Sequence, residues 1–133
     1  MIDIENDVYS DLYEYLQTQI PGIIVYDETI LSPEEFPCVC IEEIGNSVYQ
    51  RSIDSGSNEN HAIVDYEVRV YGNKVTDKKS EVRHIYSLVD EWFLTNGFVR
   101  ISTRPISFDD STKYQFIGRY TATVDKNKTI YRR

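Results

Sequence analysis

The sequence predicts an α+β fold, a two-layer sandwich in which a mainly antiparallel β-sheet is packed by two amphipathic helices. Three observations indicate this fold. Two segments carry apolar residues at helical spacing, two others alternate apolar and polar residues, and polar connections join consecutive strands. A chain of 133 residues has the length of one domain. We therefore expect a single domain over residues 1–133, with a protruding hairpin and an extended C-terminal arm at residues 125–133.

The first helix is predicted over residues 3–19. Acidic residues gather at its N-terminal end, where they favour the helix dipole, and Pro21-Gly22 ends it. Its apolar residues recur at every fourth position: Ile4, Val8, Leu12, Leu16 and Ile20.

Four strands are predicted to follow, and a loop joins the first two. The polar segment 54–60 before the last of these strands is too long for a tight turn, so we expect it to form the tip of a protruding hairpin. The predicted strands cover residues 23–26, 38–44, 48–53 and 61–71.

A second helix is predicted from a cap at Thr76 or Asp77 to Asn96-Gly97. Two strands follow, over residues 98–107, interrupted by Pro105, and residues 113–124, with a turn at 109–111 between them. The helix carries an apolar stripe of Val82, Ile85, Tyr86, Val89, Trp92 and Phe93. Opposite the helices, the sheet is expected to present a polar face suited to contacts with a neighbour: Asp65, Glu67, Arg69, Arg119, Thr121 and Thr123.

Charge is unevenly distributed along the chain. Residues 1–50 hold eleven acidic and no basic residues, whereas the remainder holds eleven acidic and fourteen basic residues, so the parts carry −11 and +3. Such separation favours attraction between different parts of identical molecules, unless folding mixes the two segments. A pI near 4.7 argues against free nucleic acid as the main ligand, and a mean hydropathy of −0.44 argues against a membrane span. The start at Met1 has no basic leader, which predicts folding in the cytoplasm of whichever cell makes the chain.

The sequence offers little support for catalysis, a metal site or a cofactor. Cys38 and Cys40 lie two apart on a predicted strand, so they point to the same side and cannot easily bridge each other. We interpret them as small buried residues, because a zinc site would need His61 and His84 as well, at unhelpful spacing. Adjacent acids are interpreted as solvated charge, and no phosphate-binding or nucleophile motif occurs. We therefore expect no catalytic, cofactor-binding or metal-binding residues.

Tyrosines and the C-terminal segment favour protein contacts. Eleven tyrosines suit protein interfaces, although some, such as Tyr86 and Tyr120, are expected in the core, and stacking on single-stranded nucleic acid is an alternative. Residues 125–133 carry four bases and one acid around Thr129-Ile130-Tyr131. We expect this arm to dock on a neighbouring subunit; an ordinary solvated tail is the alternative.

The order and spacing of four segments resemble the tail terminator (tail completion) proteins of long-tailed bacteriophages over nearly the full length. No segment is specific alone. They are the helix of residues 4–16, the block DYEVRVYGN of residues 65–73 leading into 85–86 and 89–91, residues 96–98 with Arg100, and RYTATVD of residues 119–125 ending in TIYRR.

The resemblance implies a structural protein without enzymatic activity. Such proteins form a ring, usually of six subunits, which caps the head-proximal end of the tail tube, stops its polymerisation and docks the head connector. The implied partners are further copies of the chain, the tail tube protein and a connector or stopper protein, with DNA only passing through the lumen and no membrane contact. The implied location is the tail–neck junction of the virion.

Two groups of residues are candidates for these contacts. The residues expected at the subunit interface are Arg51, Arg69, Arg100, Arg119, Tyr131, Arg132 and Arg133. Those expected to contact the tube, by the position of the hairpin, are Asp54, Ser55, Gly56, Ser57 and Asn58. The alternatives are a head–tail connector or stopper of the neck, a small monomeric tyrosine-rich module that binds protein or nucleic acid, and a hydrolase or metalloprotein.

Overall fold

The structure, a computed structural model, describes residues 1–49, 60–74, 76–106 and 112–130. Its elements are α1 (Glu5–Gln19), β1 (Ile24–Tyr26), β2 (Cys38–Val48), β3 (His61–Gly72), α2 (Lys78–Thr95), β4 (Val99–Ile106) and β5 (Tyr114–Asp125). The strands form one sheet in the order β1-β2-β3-β5-β4. The predicted α+β sandwich is confirmed.

The sheet is antiparallel except at one edge, where β1 runs parallel to β2. The connection of residues 27–37 carries the chain back to the starting end of the sheet, which a tight turn could not do. The sequence indicated short polar connections and antiparallel neighbours, so the parallel pair is a departure from the prediction.

Two separate strands were predicted at 38–44 and 48–53, and the structure instead has one continuous strand, β2, over Cys38–Val48. The chain stays paired with β3 from Cys38 to Val48, and a register shift between Glu43 and Gly45 absorbs one extra residue. Asn46, predicted to lie in a break, donates from Nδ2 to the Ile2 carbonyl oxygen at 2.7 Å. The bulge therefore lets residues with turn preference remain in a strand. The predicted hairpin tip lies outside the described residues.

Helices α1 and α2 lie on one side of the sheet, with α1 against β2 and α2 against β3, β5 and β4. Both helices occupy nearly the predicted ranges. Asp77, one of the two predicted caps, occupies the N-cap position of α2 with φ 60° and makes no side-chain cap hydrogen bond. Gly97 takes φ 91° at the other end, where the Phe98 N–H bonds the Phe93 carbonyl oxygen at 3.0 Å.

The main core lies between the helices and the sheet. The ring of Phe93 stacks on that of Tyr120 with centroids 4.3 Å apart, and Tyr66 is fully buried beside them. A second, smaller core lies on the opposite side of β2, where residues 27–37 pack Ile30 and Phe36 against buried Cys38, Cys40 and Tyr71. The two cysteines are free and on one side of the strand, as predicted.

The last two strands form the other edge of the sheet. Strand β4 includes Pro105, which is compatible with an edge position because proline has no N–H to offer a ladder. The predicted turn at 109–111 lies outside the described residues.

The described part of the C-terminal segment does not extend away from the domain. The Asp125 carboxylate accepts two backbone N–H bonds, at 2.8 and 2.9 Å, from the turn that follows it. Ile130 then bridges back to Val124 and packs against the core. The carboxylate thus reverses the chain, and Ile130 packs on its own domain while residues 126–129 are exposed. Docking of residues 131–133 stays a prediction, since they lie outside the described residues.

None of the described helices is both long and apolar enough to cross a membrane.

Gly118 on β5 makes room for the side chain of Tyr86 from α2. A Cβ at Gly118 would coincide with the Tyr86 hydroxyl group. We therefore expect Gly118→Ala to lower the free energy of unfolding by about 3 kcal/mol, measured by urea denaturation. Gly45→Ala is the matched control, because its Cβ would meet only the Asp65 carboxylate, at 3.1 Å. Equal effects of the two substitutions would contradict the proposed steric role of Tyr86.

Candidate assembly surface

The side of the sheet opposite the helices, here called the open face, carries a charged cluster at its centre. Glu67 on β3 lies directly opposite Arg119 on β5, and Arg69 lies two residues further along β3 on the same side. Strand alternation therefore places the three side chains together, as the sequence predicted.

Glu67 accepts hydrogen bonds from both arginines. Its Oε1 lies 3.0 Å from Nε and Nη2 of Arg69, and its Oε2 lies 3.1 Å from the same atoms of Arg119. Only 8% of the Glu67 side chain is exposed. A carboxylate buried to this extent needs partners, and the arginines supply charge-assisted bonds to both oxygens.

The two arginines differ in what they offer to a partner. The side chain of Arg69 is 21% exposed and that of Arg119 is 54% exposed. Glu67 faces two guanidinium groups, and Glu42 lies directly opposite Glu67 on β2. Arg119 also borders a shallow cavity of about 140 Å³ beside Ser102 and Arg104 of β4. The open face therefore presents an oriented cation near the β4 edge of the sheet.

Arg100 lies elsewhere, on the helix side of β4. Its Nη1 is 3.0 Å from Oδ2 of Asp90 on α2. The other Asp90 oxygen, Oδ1, accepts a hydrogen bond from the Tyr120 hydroxyl at 2.7 Å, and the Tyr86 and Tyr120 hydroxyls are 2.8 Å apart. Since the Tyr120 proton is committed to Asp90, Tyr86 is the donor to Tyr120. The structure thus separates Arg100 from Arg69 and Arg119, with which the sequence grouped it.

Burial keeps this tyrosine pair protonated. It raises the pKa of Tyr120 well above its usual range, and proximity to Tyr86 and Asp90 adds to the shift. Burial also raises the pKa of Tyr86, although the hydrogen bond with Tyr120 opposes it. Tyr86 and Tyr120 are therefore core residues, as expected, and their hydroxyls act as hydrogen-bond donors. The sequence indicated the burial of both tyrosines but gave no signal for the link to Asp90 and Arg100.

Acidic residues gather near the bulge of β2. The Glu43 N–H donates to Oε2 of Glu5 at 3.0 Å, and the Tyr66 hydroxyl donates to Oε1 of Glu43 at 3.1 Å. Burial raises the pKa of Glu43 above its usual range; the hydrogen bond from Tyr66 opposes this shift, and the nearby charges of Glu5 and Asp3 add to it. The strand therefore carries a carboxylate that is costly to ionise.

The cysteines and histidines do not form a metal centre in the described ranges, where no group of three His, Cys, Asp or Glu side chains has an arrangement that could hold a metal ion. A hydrogen bond with Cys40, followed by burial, raises the pKa of the Cys38 thiol. Cys38 is consequently held as a neutral thiol, which fits a packing role. His84 is exposed on α2, as expected.

Several residues expected at the surface contacts cannot be placed. Arg51, Tyr131, Arg132 and Arg133 lie outside the described residues, and so do the residues expected to contact the tube, Asp54, Ser55, Gly56, Ser57 and Asn58. Their roles stay predictions.

Comparison with known proteins shows a likeness of fold. No family model and no curated protein sequence matches the chain. Among solved structures, a chain in the virion of the native gene transfer agent particle is similar, with a TM-score of 0.54 and 12% sequence identity. The match covers 86% of this chain and 91% of that chain. At this identity the likeness establishes the fold.

Removing the charge of Glu67 should destabilise the open face. Glu67→Gln leaves Arg69 and Arg119 without their carboxylate, so we expect the free energy of unfolding to fall by about 2 kcal/mol, measured by chemical denaturation. Arg69→Met should cost more than Arg119→Met, because Arg69 is the less exposed partner. The reverse order would contradict this account of the cluster.

The raised pKa of Glu43 predicts a pH dependence. The folded protein binds a proton at Glu43 more tightly than the unfolded chain does. This group therefore contributes stability that is fully present below the pKa of the unfolded chain and is lost as pH rises through the folded pKa. Glu43→Gln should flatten the stability curve between about pH 4 and 7, measured by thermal denaturation. Asp11→Asn on α1 controls for net charge, and an identical flattening in both variants would refute the assignment.

Proposed function

We propose that this chain is a structural virion protein that assembles into a ring, caps the head-proximal end of a phage tail tube and joins it to the head connector. The supporting observation is the fold likeness to a chain of a gene transfer agent virion over 86% of the sequence. The likeness extends over most of both chains, so it involves the whole domain and not a common substructure. The resemblance of the sequence segments to tail terminator proteins supports the same function.

The distribution of charge across the fold supports head-to-tail assembly. Strands β1 and β4 form opposite edges of the sheet. Residues 1–49, which build the β1 side, contain only acidic charges, whereas β4 contributes Arg100 and Arg104 and no acid. The two charge types meet in places, since Lys128 Nζ lies 3.8 Å from Oδ2 of Asp7 on α1 and Lys113 Nζ lies 5.7 Å from the centre of the Phe36 ring. The two edges of the sheet nevertheless differ in charge. Two unlike surfaces on one subunit are what a closed ring requires.

The open face adds a surface for contacts. Its Glu67 carboxylate holds Arg119 in place while leaving that side chain 54% exposed. An arginine already oriented by its neighbour loses less conformational freedom when a partner binds. Exposed ion pairs each contribute only about 0–1 kcal/mol, so apolar contacts would have to supply most of the binding energy.

The number of tyrosines overstates the support for the alternative of a monomeric binding module. Tyr66, Tyr71, Tyr86 and Tyr120 are buried in the described domain, which leaves fewer for stacking on nucleic acid. We propose that the chain works by binding other proteins and not by catalysis.

A connector or stopper of the neck is the second candidate. The solved virion contains the similar chain as part of a whole particle, and fold likeness of this kind is compatible with several structural positions. Binding to a tube end, as opposed to a head vertex, separates the two candidates.

The ring is tested by light scattering and negative-stain imaging of the full chain over a range of concentrations. We expect closed particles of about six copies and, when polymerising tail tube protein is added, tubes that stop growing at a capped end. Particles that bind only to head vertices would favour the connector. A strict monomer that leaves tube growth unchanged would overturn the proposal.

A further inference from the structure

A cleft of about 210 Å³ lies between α2 and β4. Its walls include Arg83, Ser87 and Asp90 from α2 and Arg100 and Thr103 from β4. The cleft is open to solvent at the β4 edge of the sheet. It combines two guanidinium groups with a single carboxylate, so its net charge is positive.

The two arginines are held in place by different contacts. Asp90 directs one oxygen to Arg100 and the other to Tyr120. The guanidinium carbon of Arg83 lies 4.9 Å from the centre of the Phe116 ring. Among the described residues, Arg83 forms no ion pair. The cleft is therefore prepared to receive a further carboxylate.

A group of carboxylates is found at the opposite end of the molecule. The loop of residues 27–37 contains four exposed acids and no base. Side-chain contacts hold the loop against the sheet. The Thr29 hydroxyl donates to Oε2 of Glu42 at 2.7 Å, and Ile30 and Phe36 pack on the second core. The exposed acids are Asp27, Glu28, Glu34 and Glu35.

The loop and the cleft cannot meet within one subunit. The loop lies on β1 and β2, and the cleft lies beyond β5 at β4, with the width of the sheet between them. Each surface also exposes an apolar side chain, Leu31 (72% exposed) on the loop and Ile101 (56% exposed) beside Arg100 on β4. The loop of one copy and the cleft of another are therefore complementary in charge, and each carries an exposed apolar side chain.

We propose that the α2–β4 cleft binds a carboxylate side chain of the acidic 27–37 loop from a second copy of this chain. This inference rests on the proposed ring and identifies the contact that joins neighbouring subunits. The guanidinium groups of Arg83 and Arg100 receive the carboxylate, and Leu31 packs near Ile101. Repeating the contact from copy to copy uses one surface of each kind per subunit, so a ring built on it leaves neither surface unfilled.

Two charge-reversed variants test the contact. The cleft variant is Arg83→Glu with Ser87→Glu, which keeps the Asp90–Arg100 pair intact, and the loop variant is Glu34→Lys with Glu35→Lys. In each variant alone, like charges face each other at every junction. Mixed in equal amounts, the two variants have complementary charges at every junction of an alternating ring.

Sedimentation velocity over a concentration series at low and high salt measures the result. We expect each variant alone to associate at least about tenfold more weakly than the wild type and the mixture to recover to within about threefold. Higher salt should weaken wild-type association. The control is Lys79→Glu with Ser80→Glu, exposed residues about one turn earlier on α2, which makes the same charge change and should associate as the wild type does.

The outcomes separate this contact from the proposed ring. If both variants form rings as the wild type does, or if the mixture associates no more tightly than either variant alone, the proposed contact is wrong. Either result leaves the proposed ring intact. A wild-type chain that stays monomeric throughout the series would overturn both. Circular dichroism confirms that each variant is folded before its association is interpreted.

Discussion

The structure depends on a difference between the two faces of one sheet: two helices cover one face, and a loop covers only part of the other. Helices α1 and α2 both pack on the same side, so the apolar residues that alternate along β3 and β5 are buried there. The alternate residues must then face the other side, where the 27–37 loop covers only the part near β1 and β2. The remaining area is polar, and there two arginines stabilise the Glu67 carboxylate. The asymmetry of the sheet thus creates the polar surface of the open face.

Local patterns were sufficient to predict most of the fold. The alternation along β3 and β5 predicted which residues face the core and which form the charged cluster, because strand geometry alone determines the side of each residue. Helices α1 and α2 followed from apolar spacing. Pairing partners were harder to predict, since the parallel alignment of β1 depends on where the 27–37 loop packs. The bulge at Gly45 similarly allowed one strand where turn-forming residues suggested two.

The candidate site was predicted in part, for the same reason. Glu67, Arg69 and Arg119 share a face through alternation and register. The contact of Arg100 with Asp90 depends on the angle at which α2 crosses β4, and no local pattern encodes that angle. The carboxylate of Asp125, which reverses the C-terminal segment, also acts through a specific turn that charge counting could not reveal. Tertiary geometry therefore accounts for the differences between prediction and structure.

The two edge strands have a consequence for the proposed self-association. Unpaired strand edges can recruit further strands without limit, and this is how fibrous aggregates grow. Here β1 is only three residues long, and β4 carries a proline that cannot donate to an incoming strand. Neither edge is a good template for open-ended growth. Association through side chains can therefore stop at a finite number of subunits, whereas backbone pairing along exposed edges could continue indefinitely.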